Sequence, residues 1–236
     1  MKTIVRTAVG RVRRINEDVA YAAEGLGIVC DGMGGHRAGD VAAALAVDTM
    51  RENLSGQTPS VRALADAIAR ANGAVHARSA KERTLRGMGT TLTALWVAPK
   101  QVILGQVGDS RAYLLREGVL RQCTHDHSLV AELVREGSIT PEEARNHPRR
   151  NLITRSLGVE SHVEPDFFEV DRRAGDRWLL CSDGLTTHVL DKEIESLLSD
   201  LSLEHAADAL LDLAMVRGGT DNITLILLEE EGGDLC

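Results

Sequence analysis

The chain has 236 residues, 43% of them hydrophobic, and a formal net charge of −8. That length suits one large domain or two small ones with a proper core, and the acidic balance argues against nonspecific nucleic-acid binding, which needs a basic face. No apolar stretch approaches the ~20 residues of a membrane span, the start MKTIVRTAVGRVRR lacks a signal-peptide core, and a cytoplasmic protein is expected. Strands are predicted near 3–9, 18–22 and 26–30, the last being LGIVC, which runs into Asp31-Gly32. Helices follow at about 38–54 and 60–82, both Ala-rich with apolar residues at helical spacing. Strands return near 91–97, 102–108 and 111–116, and the middle one, VILGQVG, runs into Asp109-Ser110. A polar, helix-prone stretch covers about 128–163. Within it Thr140-Pro141-Glu142-Glu143 supplies an N-cap, a proline at the first helical position and a capping-box glutamate. Strands near 166–170 and 176–181 come next, with RWLLCS running into Asp183-Gly184, then helices near 191–199 and 204–216. Asp221-Asn222 opens the final strand at 223–229.

Consecutive strand pairs with no helix between them argue for antiparallel sheets, whose outer faces paired helices would cover. Residues 1–230 read as one α+β domain and 231–236 as a disordered tail. The 128–163 segment, inserted between strands of these sheets, is placed to cover a site as a flap.

Asp31, Asp109, Asp183 and Asp221 therefore all sit at strand mouths. A carboxylate there is held by rigid backbone and still reaches solvent. Several converging on one rim would repel each other unless cations lay between them, and oxygen-only ligands suit Mg2+, Mn2+ or Ca2+ better than zinc or copper. The competing explanation is a turn, since Asp and Gly both tolerate positive φ. After Asp31 and Asp183 the chain gives helical patterns instead of a returning strand, whereas SRAYLLRE after Asp109 fits a hairpin. In VRRINEDV, Arg13, Glu17 and Asp18 join the candidates: a guanidinium matches phosphoryl oxygens bidentately, so beside a hard metal it favours phosphate chemistry. Cys30, Cys123, Cys181 and Cys236 lack CxxC spacing, which suggests neither a zinc site nor a disulfide framework; Cys30 and Cys181 fall within apolar strands as reduced core residues. His125 and His127 flanking Asp126 suit loop ordering better than a transition metal, because no third ligand stands at fixed spacing.

The set RxxNED (13–18), DGMGG (31–35), GTT (89–91), VGDSRAY (107–113), THDHS (124–128), NLITRSLG (151–158), SDGL (182–185) and DNIT (221–224) resembles the protein phosphatase 2C family of metal-dependent Ser/Thr phosphatases, above all its compact bacterial members. The resemblance implies a four-layer α-β-β-α sandwich, two antiparallel sheets flanked by antiparallel helix pairs, and a binuclear Mn2+ or Mg2+ centre with a weaker third ion. It implies that Asp31 bridges two metals, that Gly32 ligates one through its carbonyl, and that Asp183 and Asp221 complete one metal's shell. Asp18 and Glu17 would act directly or through metal waters, Asp109 and Asp183 would hold the third ion, and Arg13 would clamp the substrate phosphate. The implied reaction is in-line attack on phosphorus by a metal-bridging hydroxide with no phosphoenzyme. Its substrates are phosphorylated proteins, its opponent a Ser/Thr kinase, and the enzyme a monomer.

One departure concerns the proton for the leaving alkoxide. Many eukaryotic members have DGH, whose His is proposed as the general acid, and this chain has Met33 there. His36 is a candidate proton donor or substrate contact, and a metal-bound water is an equal one. Other phosphatase chemistries fail on the residues: no Cys-x5-Arg loop, no DxDx pair and no GNH motif. Two further classes stand beside the enzyme, a catalytically silent relative that binds partners and a Ca2+-stabilised structural domain. The first expects a broken metal set, yet every matching Asp is present.

Overall fold

A computed structural model describes residues 1–34 and 38–230; His36 and the tail expected at 231–236 lie outside the described residues. The chain begins with β1 (Lys2–Ala8), β2 (Asp18–Ala23) and β3 (Leu26–Met33), followed by α1 (Ala38–Leu54) and α2 (Val61–Lys81). The middle comprises β4 (Gly89–Thr90), β5 (Leu92–Val97), β6 (Gln101–Val107), β7 (Arg111–Arg116), β8 (Val119–Gln122), α3 (Leu129–Arg135) and α4 (Pro141–Arg145). It ends with β9 (Asp166–Asp171), β10 (Arg177–Cys181), α5 (Asp183–Thr186), α6 (Asp191–Asp200), α7 (Leu203–Val216) and β11 (Ile223–Glu229).

Two antiparallel sheets result, one ordered β1-β11-β10-β7-β8 and the other β2-β3-β5-β6-β9, with β4 paired to β3. Side-chain alternation sorts the strands into three apolar layers. Ile28 and Cys30 of β3 and Leu92 and Ala94 of β5 pack with α1 and α2. Leu179 and Cys181 of β10 and Leu225 and Leu227 of β11 pack with α6 and α7. Residues of the opposite parity, among them Val29, Leu95, Leu104, Trp178, Leu180 and Ile226, fill the space between the sheets. Both faces of the central strands are thus buried, which explains their continuous apolar runs, and the architecture is the expected four-layer α-β-β-α sandwich.

The hairpin expected at Asp109 does not form. β6 belongs to one sheet and β7 to the other, so Gly108-Asp109-Ser110 is the place where the chain crosses between sheets. The two-residue hairpins lie elsewhere: Glu24-Gly25 joins β2 to β3 and Glu117-Gly118 joins β7 to β8, all four residues at positive φ as a type I′ turn requires. β8 and the single turn α5 were not foreseen. In the insertion α3 and α4 form as short helices, α4 with its full capping box. The stretch after them is irregular, pinned back through bridges from Ser128 to Ile153 and from Thr90 to Leu157.

Truncating Leu180 to Ala would open a cavity between the sheets where nothing can collapse into it. Urea unfolding should show a loss of about 2–5 kcal/mol, against within about 0.5 kcal/mol for Val119→Ala on the exposed edge of β8.

Candidate active site

The mouths of strands from both sheets meet on one rim. Asp18 opens β2 and stands directly opposite Asp31 of β3 in register. Asp183 starts α5 just beyond β10, Asp221 lies two residues before β11, and Asp109 lies in the crossover between the sheets. Electrostatically they are one group: the Asp31 carboxyl feels the charges of Asp18, Asp183, Asp109 and Asp221.

Hydrogen bonds from uncharged side chains hold this arrangement together across the seam. Ser182 Oγ donates to Asp18 Oδ2 at 2.7 Å, which ties the end of β10 to β2, and accepts the Thr224 N–H at 3.0 Å. Asn222 Nδ2 donates to the carbonyls of Val9 and Ile15, both at 2.9 Å, while its Oδ1 accepts the Glu17 N–H at 2.8 Å. Asp31 N–H donates to Thr91 Oγ1, whose hydroxyl in turn meets Ser110 Oγ at 2.7 Å. Gly32 is confined between chains. A Cβ there would lie 2.1 Å from the Gly39 carbonyl oxygen and 2.6 Å from that of Glu17, so only glycine fits. Gly184 is similarly trapped, 1.9 Å from the Asn222 carbonyl oxygen.

The electrostatics are those of acids crowded with too little counter-charge, since Arg13 and Arg111 offset only part of the repulsion. Burial first, then the neighbouring carboxylates, push the Asp18 and Asp183 carboxyls up to about 6. The same two causes push Asp109 up to about 8 and Asp31 well above the ordinary carboxylate range. Burial also raises Glu17 despite an opposing hydrogen bond from Gly39. One buried oxygen each of Asp18, Asp109 and Asp183 has no hydrogen-bond partner among the described residues. Acceptor-only atoms left bare in a protein interior are a strong sign that a cation belongs there. Among the described residues no three His, Cys, Asp or Glu side chains form a ready-made metal cage. Hard divalent ions keep several waters and accept backbone carbonyls, so paired carboxylates with a carbonyl such as that of Gly32 fit them.

Arg13 reaches this rim, its Nη2 2.7 Å from Asp221 Oδ2. Burial works against its charge, but Asp221, Glu17 and Asp31 outweigh that and raise its pKa. On the other side a groove of about 800 Å3 runs from Asp109 and Asp183 under α3 and α4. Asp126 is held by the protein itself: Arg111 grips it through Nε and Nη2, and Gln122 Nε2 adds a third donor. His125 packs edge-on against Phe168. His127 Nδ1 accepts the Gly108 N–H at 3.2 Å and its Nε2 faces Asp166, the expected loop-ordering role. The supporting roles of Ser182, Asn222, Thr91 and Arg111 were missed, although all four fall inside the SDGL, DNIT, GTT and VGDSRAY strings.

Residues 16–215 match the family model for protein phosphatase 2C. The chain is 46% identical to the serine/threonine phosphatase stp of Listeria monocytogenes over 96% of this chain and 94% of that protein. It is 44% identical to the serine/threonine protein phosphatase PstP of Mycobacterium tuberculosis over 97% of this chain but 45% of that longer protein. The crystal structure of the Mycobacterium tuberculosis serine/threonine phosphatase PstP superposes with a TM-score of 0.93 at 43% identity, covering 98% of this chain and 99% of that one. A structure of the PstP catalytic domain with two manganese ions gives a TM-score of 0.89 at 41% identity, covering 96% of each chain.

The raised acids make a prediction with a definite sign. Each holds its proton more tightly in the folded than in the unfolded chain, so the folded state binds more protons and metal-free stability falls as pH rises from about 4 to about 8. Thermal melts with excess chelator should show the melting temperature dropping across that range. Saturating Mn2+ should remove the drop; a flat chelator series would contradict the crowding.

Proposed function

This chain belongs to the protein phosphatase 2C family and is a serine/threonine phosphatase; from that premise we propose that it hydrolyses phosphoserine and phosphothreonine in proteins by direct in-line attack, with no phosphoenzyme, and so counteracts a Ser/Thr kinase. The observation that carries the reading is the ring of bare, buried carboxylate oxygens on Asp18, Asp109 and Asp183 around Asp31. Only protons or cations can hold such a ring together, and at neutral pH two divalent ions satisfy it better.

We assign Asp31 as the acid that both ions would share, with the Gly32 carbonyl holding one of them and Asp183 with Asp221 completing the donors of one. Asp18 and Glu17 would hold them directly or through water, and Asp109 with Asp183 would hold a weaker third ion. The all-oxygen donors suit Mn2+ or Mg2+. When bound, such ions supply an acidified water, whose pKa can fall from 15.7 towards ~7, and positive charge for the phosphoryl oxygens. The protein's own part is to orient and neutralise. Arg13, half-exposed and anchored at one nitrogen by Asp221, offers its remaining N–H groups to the phosphate, where charge develops in the transition state. Ser182, by bonding one oxygen of Asp18, fixes the direction in which the other points. The leaving oxygen needs a proton, and the candidates are His36 and an ordered water.

Among the described residues no helix is long and apolar enough to cross a membrane. Cys30, Cys123 and Cys181 are free and buried, which fits the reducing cytoplasm, and we take the working unit to be a monomer built on residues 1–230.

The test is Mn2+-dependent hydrolysis of p-nitrophenyl phosphate and of a phosphothreonine peptide. Asp31→Ala should lower kcat on the order of 10^3-fold and Arg13→Ala should lower kcat/KM by about 10^2-fold. Ser182→Ala should weaken the apparent Mn2+ affinity by about 10- to 100-fold. Full activity in Asp31→Ala would overturn the assignment.

A further inference from the structure

The loop that carries Arg13 has a second, unused set of side chains. Arg11, Val12, Arg13, Arg14 and Ile15 form an unbroken exposed stretch between β1 and β2. Val12 is 66% and Ile15 38% exposed, and Arg11 and Arg14 form no ion pair and no side-chain hydrogen bond among the described residues. Exposed residues of this kind usually sit on pliable backbone. Here the backbone is fixed at both ends: the Arg11 N–H donates to the Gly219 carbonyl at 2.7 Å, and one Asn222 amide holds the carbonyls of Val9 and Ile15. Gly10, at φ +81°, lies so close to the Asp221 carbonyl that a Cβ would be 2.2 Å from it. The loop therefore hangs from the residues flanking Asp221, and its position relative to the reacting phosphate is set by the same bonds that set the rim.

We propose that Arg11, Val12 and Arg14 form a specificity subsite that selects phosphorylated segments with an acidic side chain within a few residues of the phosphoserine or phosphothreonine. The argument rests on the phosphatase reading and on Arg13 at the phosphate. From Arg11 to Arg14 the backbone spans at most on the order of 10 Å, and an extended substrate advances about 3.3–3.6 Å per residue. With its phosphate against Arg13, a bound segment that runs along this loop brings its neighbouring side chains to Arg11 and Arg14. Two uncommitted guanidiniums meet them, on a protein whose net charge of −8 would otherwise repel acidic sequences. Val12 adds an apolar contact held at no cost in loop ordering. Arg11 and Arg14 touch neither the reacting atoms nor the carboxylate rim, so their effect falls on the choice of substrate.

The experiment compares kcat/KM for three phosphothreonine peptides that differ only in flanking residues, aspartate, alanine or lysine, with p-nitrophenyl phosphate as a substrate that has no flanks. The wild-type enzyme should prefer the aspartate peptide over the lysine peptide roughly tenfold at low salt, and the preference should shrink as salt rises. In Arg11→Glu/Arg14→Glu the order should invert in favour of the lysine peptide, a reversal that structural damage alone would not produce. Equal kcat/KM for all three peptides in the wild type, or an unchanged order in the reversed variant, overturns the subsite while leaving the phosphatase reading intact. Failure of the wild type to hydrolyse p-nitrophenyl phosphate with Mn2+ overturns the phosphatase reading, and the subsite with it.

Discussion

Everything in this molecule depends on forcing carboxylates together that would rather be apart. Asp18 and Asp109 are buried and Asp31 and Asp183 half-buried at one rim, and each resists ionisation because of desolvation and of its neighbours. A loop could not hold such a cluster; it would relax and let the charges separate. The cluster persists because the acids hang from strand ends whose other residues are locked in apolar layers, including the one between the two sheets. The energy that keeps the acids close is hydrophobic burial several residues away. The repulsion stored between them would favour a divalent cation placed among them.

The sandwich also explains why the site lies at the seam. Asp18 and Asp31 come from one sheet, Asp183 and Asp221 from the other, and Asp109 from the crossing between them. A cation at the rim would thus bind the sheets to each other as well as to itself. The bonds from uncharged side chains prefigure that role. Ser182 spans from β10 to Asp18, and Asn222 reaches from the start of β11 to Glu17 and the N-terminal loop. Small residues serve the same end, since Gly32 and Gly184 let backbones approach where any side chain would hold them apart.

The aspartates were legible in the sequence because an acid at a strand mouth is a local signal: Asp31-Gly32 and Asp183-Gly184 close apolar runs with no returning strand, Asp109-Ser110 closes a third, and Asp221-Asn222 opens a fourth. The helix pairs were legible from their periodicity, and α4 from its capping box. What escaped was non-local. Nothing in VGDSR reveals that β6 and β7 belong to different sheets, because a hairpin and a sheet-to-sheet crossing can share the same turn residues. The actual hairpin turns use Glu24-Gly25 and Glu117-Gly118, where glutamate takes a left-handed conformation that it rarely favours. Ser182 and Asn222 act through partners 164 and up to 213 residues away, so their value appears only once the sheets have closed. The pairing of Arg111 with Asp126 is hidden for the same reason: β8 and its turn must form first.

The rim is not symmetrical. On the side of Asp221 the loop carrying Arg13 is clipped directly to the strand ends. On the side of Asp109 the base of the flap is tied to the crossover: Arg111 and Arg135 both bond Asp126, and His127 joins the Gly108 backbone to Asp166. The insertion's far end is tied as directly to the other side: Leu157 pairs with Thr90, whose hydroxyl donates to the Asp31 carbonyl at 2.9 Å. Asp109 is also the acid pushed up to about 8, against about 6 for Asp18 and Asp183. A cation at Asp109 would meet a more tightly held proton than one at Asp18 or Asp183, and at Asp31, also raised well above the ordinary range, it would meet the same competition. Both acids thus hang from segments that the insertion clips, Asp109 through His127 and Gly108 and Asp31 through Leu157 and Thr90, so the insertion and the acids are mechanically joined.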